Sequence, residues 1–197
     1  MKIKGVFLAA ILTAVLCFSG NLLAYSGLGD GSAGNPYQIA NVPDWQELMT
    51  TPADRNKHFI LTADVNLAGV TLTPVGNYPS APFTGVFDGN DNIISNAVIN
   101  QPGSDNIGLF GYLGEDSQVL NLGVEDVNII GSSSVGGLAG YNPSGTLTAC
   151  YATGSVTGIG GAVGGLVGKN ASGATSQSYA AATGAGDYTV GGVAGSD

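Results

Sequence analysis

Downstream of residue 58, apolar and polar residues alternate over short stretches, and no sustained stripe of helical period is present. The stretches are rich in β-branched residues and are separated by Gly, Asn and Ser, which predicts short strands joined by turns. The strands are predicted at His58 to Asn66, Val70 to Val75, Ile93 to Asn100, Val119 to Ile130 and Thr146 to Val156.

A phrase of apolar residues and glycine recurs four times in the second half of the chain. Its copies begin at Ile107, Val135, Val163 and Val190, so the period is about 28 residues. Asn142 and Tyr151 recur 28 residues later as Asn170 and Tyr179, so two phrases share one period and indicate an internal repeat. The repeat-motif residues are Gly108, Leu109, Gly111, Gly137, Leu138, Gly140, Gly165, Leu166, Gly168, Gly192 and Gly195.

A strand advances about 3.3 Å per residue, so a repeat of this length can circle a small core once. We therefore expect an all-β fold, a parallel β-solenoid (β-helix) with coils of about 28 residues. Glycine at the corners would allow positive φ or a close approach of neighbouring backbones. Asn142 and Asn170 form either a stacked side-chain ladder or two separate turns, and the sequence leaves both open.

Three segments are predicted. Residues 1–24 carry Lys2 and Lys4 before an apolar run that is too short to span a bilayer, which is typical of a signal peptide cleaved after Ala24. Residues 25–58 are predicted to be an N-terminal cap with a short helix from Pro43 to Met49. Residues 59–197 are predicted to form the solenoid.

The chain stops two residues after a fresh copy of the phrase, and no polar segment follows to cover the last coil. We expect from this that the chain is truncated at its C-terminal side and belongs to a larger surface protein. The alternative is end-to-end stacking of the last coil on another chain.

Composition narrows the class of protein. Glycine contributes 33 of 197 residues, well above its usual share of roughly 7%, yet hydrophobic residues make up 44%, which favours a folded chain. The 14 acidic residues outnumber 5 basic ones, so no basic face is available for nucleic acid. Without residues 1–24, Cys150 is the only thiol, no disulfide can form within the chain, and no transmembrane span is expected.

Candidate chemistry is sparse. His58 is the only histidine, so a Ser-His-Asp triad or a zinc site with two histidines is excluded unless another chain contributes. Cys150 has Ser178 as its counterpart one coil later, which indicates a small packed residue rather than a nucleophile. Tyr151 and Tyr179 either stack in the packing or line a binding face.

Carboxylates are the remaining material for acid and base chemistry. They are Asp88, Asp91, Asp105, Glu115, Asp116, Glu125 and Asp126. The turn with Asp88, Asn90 and Asp91 is rich in oxygen and is a candidate Ca²⁺ site, although Asp and Asn are also common turn residues. No other cofactor is expected.

The core Gly165-Leu166-Val167-Gly168, the opening Gly34 to Ile39 and the phrase Phe87 to Asn90 resemble secreted bacterial proteins with the GLUG motif. The family phrase differs here at Asp91 and Asn92, where it usually has Gly-His. The resemblance implies a β-solenoid scaffold of surface and extracellular proteins, some with neighbouring IgA-specific metallopeptidase domains. It implies no catalytic residues.

These observations predict a non-catalytic, secreted or cell-surface scaffold for adhesion, whose partner is an extracellular protein or a glycan. The alternative is a polysaccharide-active enzyme or a carbohydrate-binding module that uses carboxylates on one face of the solenoid.

Overall fold

The computed structural model describes residues 25–187 and 189–196. Its described part contains one α-helix, α1 (Val42–Thr50), and two short 3-10 turns at Tyr25–Gly27 and Pro52–Asp54. The strands are β1 (Tyr37–Ile39), β2 (His58–Leu61), β3 (Val65–Asn66), β4 (Val86–Asp88), β5 (Ile93–Ser95), β6 (Val98–Asn100), β7 (Phe110–Tyr112), β8 (Gln118–Leu120), β9 (Gly123–Gly131), β10 (Val135–Gly136), β11 (Ala139–Asn142), β12 (Thr146–Thr148), β13 (Tyr151–Gly158), β14 (Ala162–Gly164), β15 (Val167–Asn170), β16 (Ala174–Ser176), β17 (Tyr179–Ala185), β18 (Thr189–Gly191) and β19 (Ala194–Ser196).

The strands form four sheets in which every strand pair is parallel. The sheet orders are β1-β2-β4-β8-β12-β16, β3-β5-β9-β13-β17 with β6 also beside β9, β7-β11-β15-β19, and β10-β14-β18. Neighbours in a sheet come from successive coils; Val135, for example, pairs with Val163 and Thr146 with Ala174. The predicted parallel β-solenoid with coils of about 28 residues is confirmed, and about five coils are present.

The predicted strands are interrupted by corners. Asn96, Asn121 and Ala149 have φ of 57°, 51° and 53°, and each divides a predicted strand into two strands on different sheets. The positive φ turns the chain by a sharp angle that a continuous strand cannot make. Glycine is not used at these corners; the repeat-motif glycines serve the close approach of backbones instead.

The predicted strand from Val70 to Val75 is wrong. This segment is irregular, and only Val75 forms a bridge, with Phe110. Its alternating pattern arises because Leu72 and Val75 are buried in the core, while Pro74 has no backbone N–H to give to a ladder.

The short N-terminal helix is confirmed. Asn41 caps it by accepting a hydrogen bond from the backbone N–H of Asp44 at 3.1 Å. Its inner face buries Trp45, Leu48 and Met49, and the Trp45 ring meets Phe87 edge-on at 5.9 Å. The helix therefore seals one end of the core as expected.

A continuous apolar core runs through the coils from Ile39 to Val167. In the described part of the chain, no helix has the length and apolar character needed to cross a bilayer. The predicted signal peptide, residues 1–24, lies outside the described residues.

Candidate functional site

The repeat-motif residues lie at the closest contacts between coils. Leu138 and Leu166 are fully buried. A Cβ on Gly140 would meet the backbone of Asn106 at 2.3 Å in the preceding coil, and one on Gly165 would meet the carbonyl oxygen of Gly192 at 2.5 Å in the next. The motif therefore packs coil against coil and leaves no room for a ligand.

The two asparagines of the second phrase form the ladder. The Asn142 amide donates to Oδ1 of Asn170 at 2.9 Å, and its own Oδ1 accepts the backbone N–H of Gly145 at 2.8 Å. Asn142 is fully buried, so these bonds satisfy its polar atoms inside the protein.

The candidate Ca²⁺ turn follows β4. Oδ1 of Asp88 accepts the backbone N–H of Asn90 at 2.8 Å and the side-chain amide of Asn121 at 3.0 Å. Asn90 and Asp91 have positive φ, as turn residues do. The described residues contain no cluster of three or more His, Cys, Asp or Glu side chains that could hold a metal ion, and Ca²⁺ binding at this turn stays a prediction.

The other candidate carboxylates are spread over several corners. Asp105 lies in the loop after β6, Glu115 and Asp116 in the turn after β7, and Glu125 and Asp126 in β9. One of them has a close phenol partner: the Tyr151 hydroxyl donates to Glu125 at 2.6 Å. That hydrogen bond, together with burial, raises the pKa of Tyr151 to about 12.

Tyr151 also stacks on Tyr179 in the next coil, with ring centroids 5.0 Å apart and ring planes 3° from parallel. This is the stacking that the 28-residue spacing predicted, and the Tyr179 ring is 55% exposed at the surface.

Cys150 is buried, and its thiol contacts the carbonyl oxygens of Val119 and Thr148 at 3.4 Å. Burial raises the pKa of this thiol to about 11, so little reactive thiolate is present near neutral pH. His58 lies in β2 and pairs with Val86.

One surface was not predicted from the sequence. Tyr112, Tyr141 and Lys169 occupy equivalent positions on β7, β11 and β15. Tyr78, from the loop before β4, stacks on Tyr112 with centroids 4.8 Å apart. We call these four residues the tyrosine row; its signal in the sequence was that three of them directly follow the last glycine of a motif copy.

A cleft of about 570 Å³ begins at the end of this row. Its walls are the loops that carry Asn77 and Asp105, and Arg55 lies at its base. Arg55 is 7% exposed, and it donates to the carbonyl oxygens of Ala81 at 2.8 Å and Met49 at 3.0 Å. Its burial lowers the pKa of the guanidinium.

The last described coil exposes apolar side chains that earlier coils bury. Val190 is 45% exposed, whereas Val163 at the same position one coil earlier is fully buried. End-to-end stacking through this coil stays a prediction, which sedimentation of the full chain tests.

Comparisons with known proteins agree with the motif analysis. The GLUG motif matches residues 131–157, which include one complete copy of the repeat phrase. Halomucin of Haloquadratum walsbyi is 34% identical over 147 residues, which are 71% of this chain and 2% of that protein. A protein of Evansella cellulosilytica, assigned as a Gly-rich membrane protein, is 30% identical over 123 residues, which are 58% of this chain and 14% of that protein.

A solved structure from Bacteroides ovatus, assigned as an immunoglobulin A1 protease, covers 84% of this chain with 18% identity and a TM-score of 0.48. The chain spans only a small part of the length of both curated relatives. Its repeat, its matched motif and its parallel coils agree, and the chain is a GLUG-motif repeat protein with a β-solenoid fold.

Proposed function

We propose that this chain is a non-catalytic β-solenoid scaffold of an extracellular or cell-surface protein, and that its outer faces serve adhesion to proteins or glycans. The observation that carries the proposal is the stacking of outward side chains at one position per coil. Tyr151 and Tyr179 form one such row and Tyr112, Tyr141 and Lys169 another.

Such rows suit a rigid, repeating binding surface because the coils beneath them are locked in register. Backbone ladders join every coil to its neighbours, and the apolar core is continuous under both rows. A partner with its own repeat can then contact several coils at once, which strengthens weak individual contacts. A relative that is assigned as a membrane protein and the predicted signal peptide support a surface location.

Two measurements test the proposal. Protease added to intact cells should remove the protein if it is exposed at the surface, and a protein that is protected until the cells are broken would contradict the location. The purified chain should release no reducing sugar or unsaturated product from a panel of polysaccharides. Turnover that disappears in Asp88→Asn or Asp116→Asn would overturn the non-catalytic assignment in favour of a polysaccharide-active enzyme.

A further inference from the structure

The tyrosine row offers aromatic rings to the solvent at regular steps along the solenoid axis. Tyr78 is 64% exposed and stacks on Tyr112, which in turn meets Tyr141 edge-on at 5.3 Å between centroids. The Lys169 ammonium lies 5.4 Å from the centroid of the Tyr141 ring and continues the row.

The row has free binding capacity. None of the three phenol hydroxyls makes a hydrogen bond to another described residue, in contrast to Tyr151, whose hydroxyl is bound by Glu125. Buried phenols usually find a polar partner, whereas these three present an apolar ring and an unused hydroxyl together. A ligand that combines C–H faces with hydroxyl groups matches both properties.

The cleft at the end of the row adds polar groups of both kinds. Within the described part of the chain, the side chains of Gln101 and Asn106 make no hydrogen bond, and both line the cleft. Asp105 contributes an acceptor at the rim, and its Oδ1 is held by the backbone N–H of Ser133 at 3.0 Å.

Arg55 gives the cleft a buried donor group. Its charge has no carboxylate within 4.0 Å among the described residues, and its Nε is buried without a hydrogen-bond partner there. Asn77 accepts a hydrogen bond from Arg55 at 3.2 Å and so links the base of the cleft to the loop that carries Tyr78. Donors and acceptors thus alternate around the cleft, as recognition of hydroxyl groups requires.

Charge distinguishes between classes of glycan. Only Arg55, Lys57 and Lys169 are basic among residues 25–197, against 14 acidic residues. A surface of this balance repels a polyanion at long range, and Asp105 repels it at the cleft itself.

We infer that the tyrosine row and the adjoining cleft form a binding site for a neutral polysaccharide, whose sugar rings stack on Tyr78, Tyr112 and Tyr141 while its hydroxyls bind in the cleft. The C–H groups of a sugar face are weakly positive and are attracted by the negative face of an aromatic ring. The inference rests on the proposed scaffold function and specifies its partner.

Affinity electrophoresis of the full chain through gels that contain dextran, mannan, xylan or a soluble β-glucan tests the inference, with polygalacturonate as the acidic comparison. At least one neutral polymer should retard the protein, and polygalacturonate should not. Tyr78→Ala should weaken binding by about two- to tenfold, the loss expected for one stacked ring. Gln101→Ala should weaken it while the melting temperature stays unchanged, since this side chain supports no described contact.

Tyr179→Ala is the matched control, because it removes an exposed, stacked tyrosine from a different sheet. It should bind like the wild type. The inference is overturned if no neutral polymer binds, if the acidic polymer binds more tightly, or if Tyr179→Ala weakens binding as much as Tyr78→Ala. Cleavage of the bound polymer would instead overturn the non-catalytic proposal and leave the binding site in place.

Discussion

The coils near the N-terminus and those near the C-terminus build the same solenoid from different materials. The first coils fill their core with rings: Phe83 packs on Phe110 at 5.0 Å, and Trp45 meets Phe87. The last coils use Leu166, Ala152 and Val163 at corresponding depths. Bulky residues of varied shape thus fill the sealed end, and small residues fill the regular end.

Register shows the same contrast. In the later coils Thr146 pairs with Ala174 and Tyr151 with Tyr179, each 28 residues apart. In the earlier coils Val86 pairs with Gln118 and Ile93 with Gly123, so the coil length changes within a single circuit. A core of small residues stacks identical layers, whereas aromatic side chains of different shape need loops of different length around them.

The sealed end should be the more sensitive to loss of volume. Trp45→Ala removes a ring that is 1% exposed, and we expect a loss of about 3–5 kcal/mol in the free energy of unfolding. Chemical denaturation measures it. Gln46→Ala, on the exposed face of the same helix, should change stability by less than about 0.5 kcal/mol. If Trp45→Ala does not fold, Trp45→Phe should show a smaller loss, and equal stability of both helix variants would contradict the cap.

The regular end should respond to the addition of volume, and differently in two successive coils. Gly165→Ala places a Cβ 2.5 Å from the Gly192 carbonyl oxygen and should cost about 1–3 kcal/mol. Gly192→Ala, at the same motif position one coil later, meets nothing within 4 Å and should be nearly neutral. Thermal unfolding of the 197-residue chain compares the two, and equal losses would show that the close approach of coils is not the cause.

One corner column separates suitable residues from strained ones. Asp91, Asn121, Ala149 and Gln177 all have positive φ at equivalent positions, and Asp and Asn tolerate this conformation better than Ala. Ala149→Asn should therefore raise the stability by up to about 1 kcal/mol. Ala171→Asn, at an exposed site without positive φ, is the control and should have no effect. An equal gain at both sites would argue against relief of backbone strain.

The Tyr151 and Glu125 pair should make the regular end sensitive to alkali. Neutral Tyr151 donates to the Glu125 carboxylate, and its pKa of about 12 lies above the ordinary value of 10.0. The contribution to stability is therefore full below pH 10 and is lost as the pH rises toward 12. Tyrosinate absorbance should show one late titration step that moves to lower pH in Glu125→Gln. A step that does not move would assign the shift to burial alone.

Prediction from the sequence was most successful where the repeat was regular. The spacing of Val135, Val163 and Val190 correctly placed three strands side by side, because a constant period in a solenoid is also a constant register. It was less successful for Val70 to Val75, which alternates like a strand but is held in the core as a loop.

The tyrosine row was missed for a related reason. Tyr112 and Tyr141 are 29 residues apart, one more than the spacing of Thr146 and Gln118, because the first motif copy is one residue shorter between Gly108 and Gly111. Tyr78 belongs to a loop with no counterpart in the repeat. A search at one fixed period therefore joins neither residue to the row.

The sequence by itself determined the parallel solenoid, the length of its coils and the helix that seals one end, because these depend on local patterns that recur or on a local capping signal. Only the tertiary structure decided that Arg55, Asn77 and Asp105 share one cleft and that Tyr78 extends a row begun two strands away. Those contacts join loops of different coils, and their lengths depend on how the aromatic core packs beneath them rather than on any spacing along the chain.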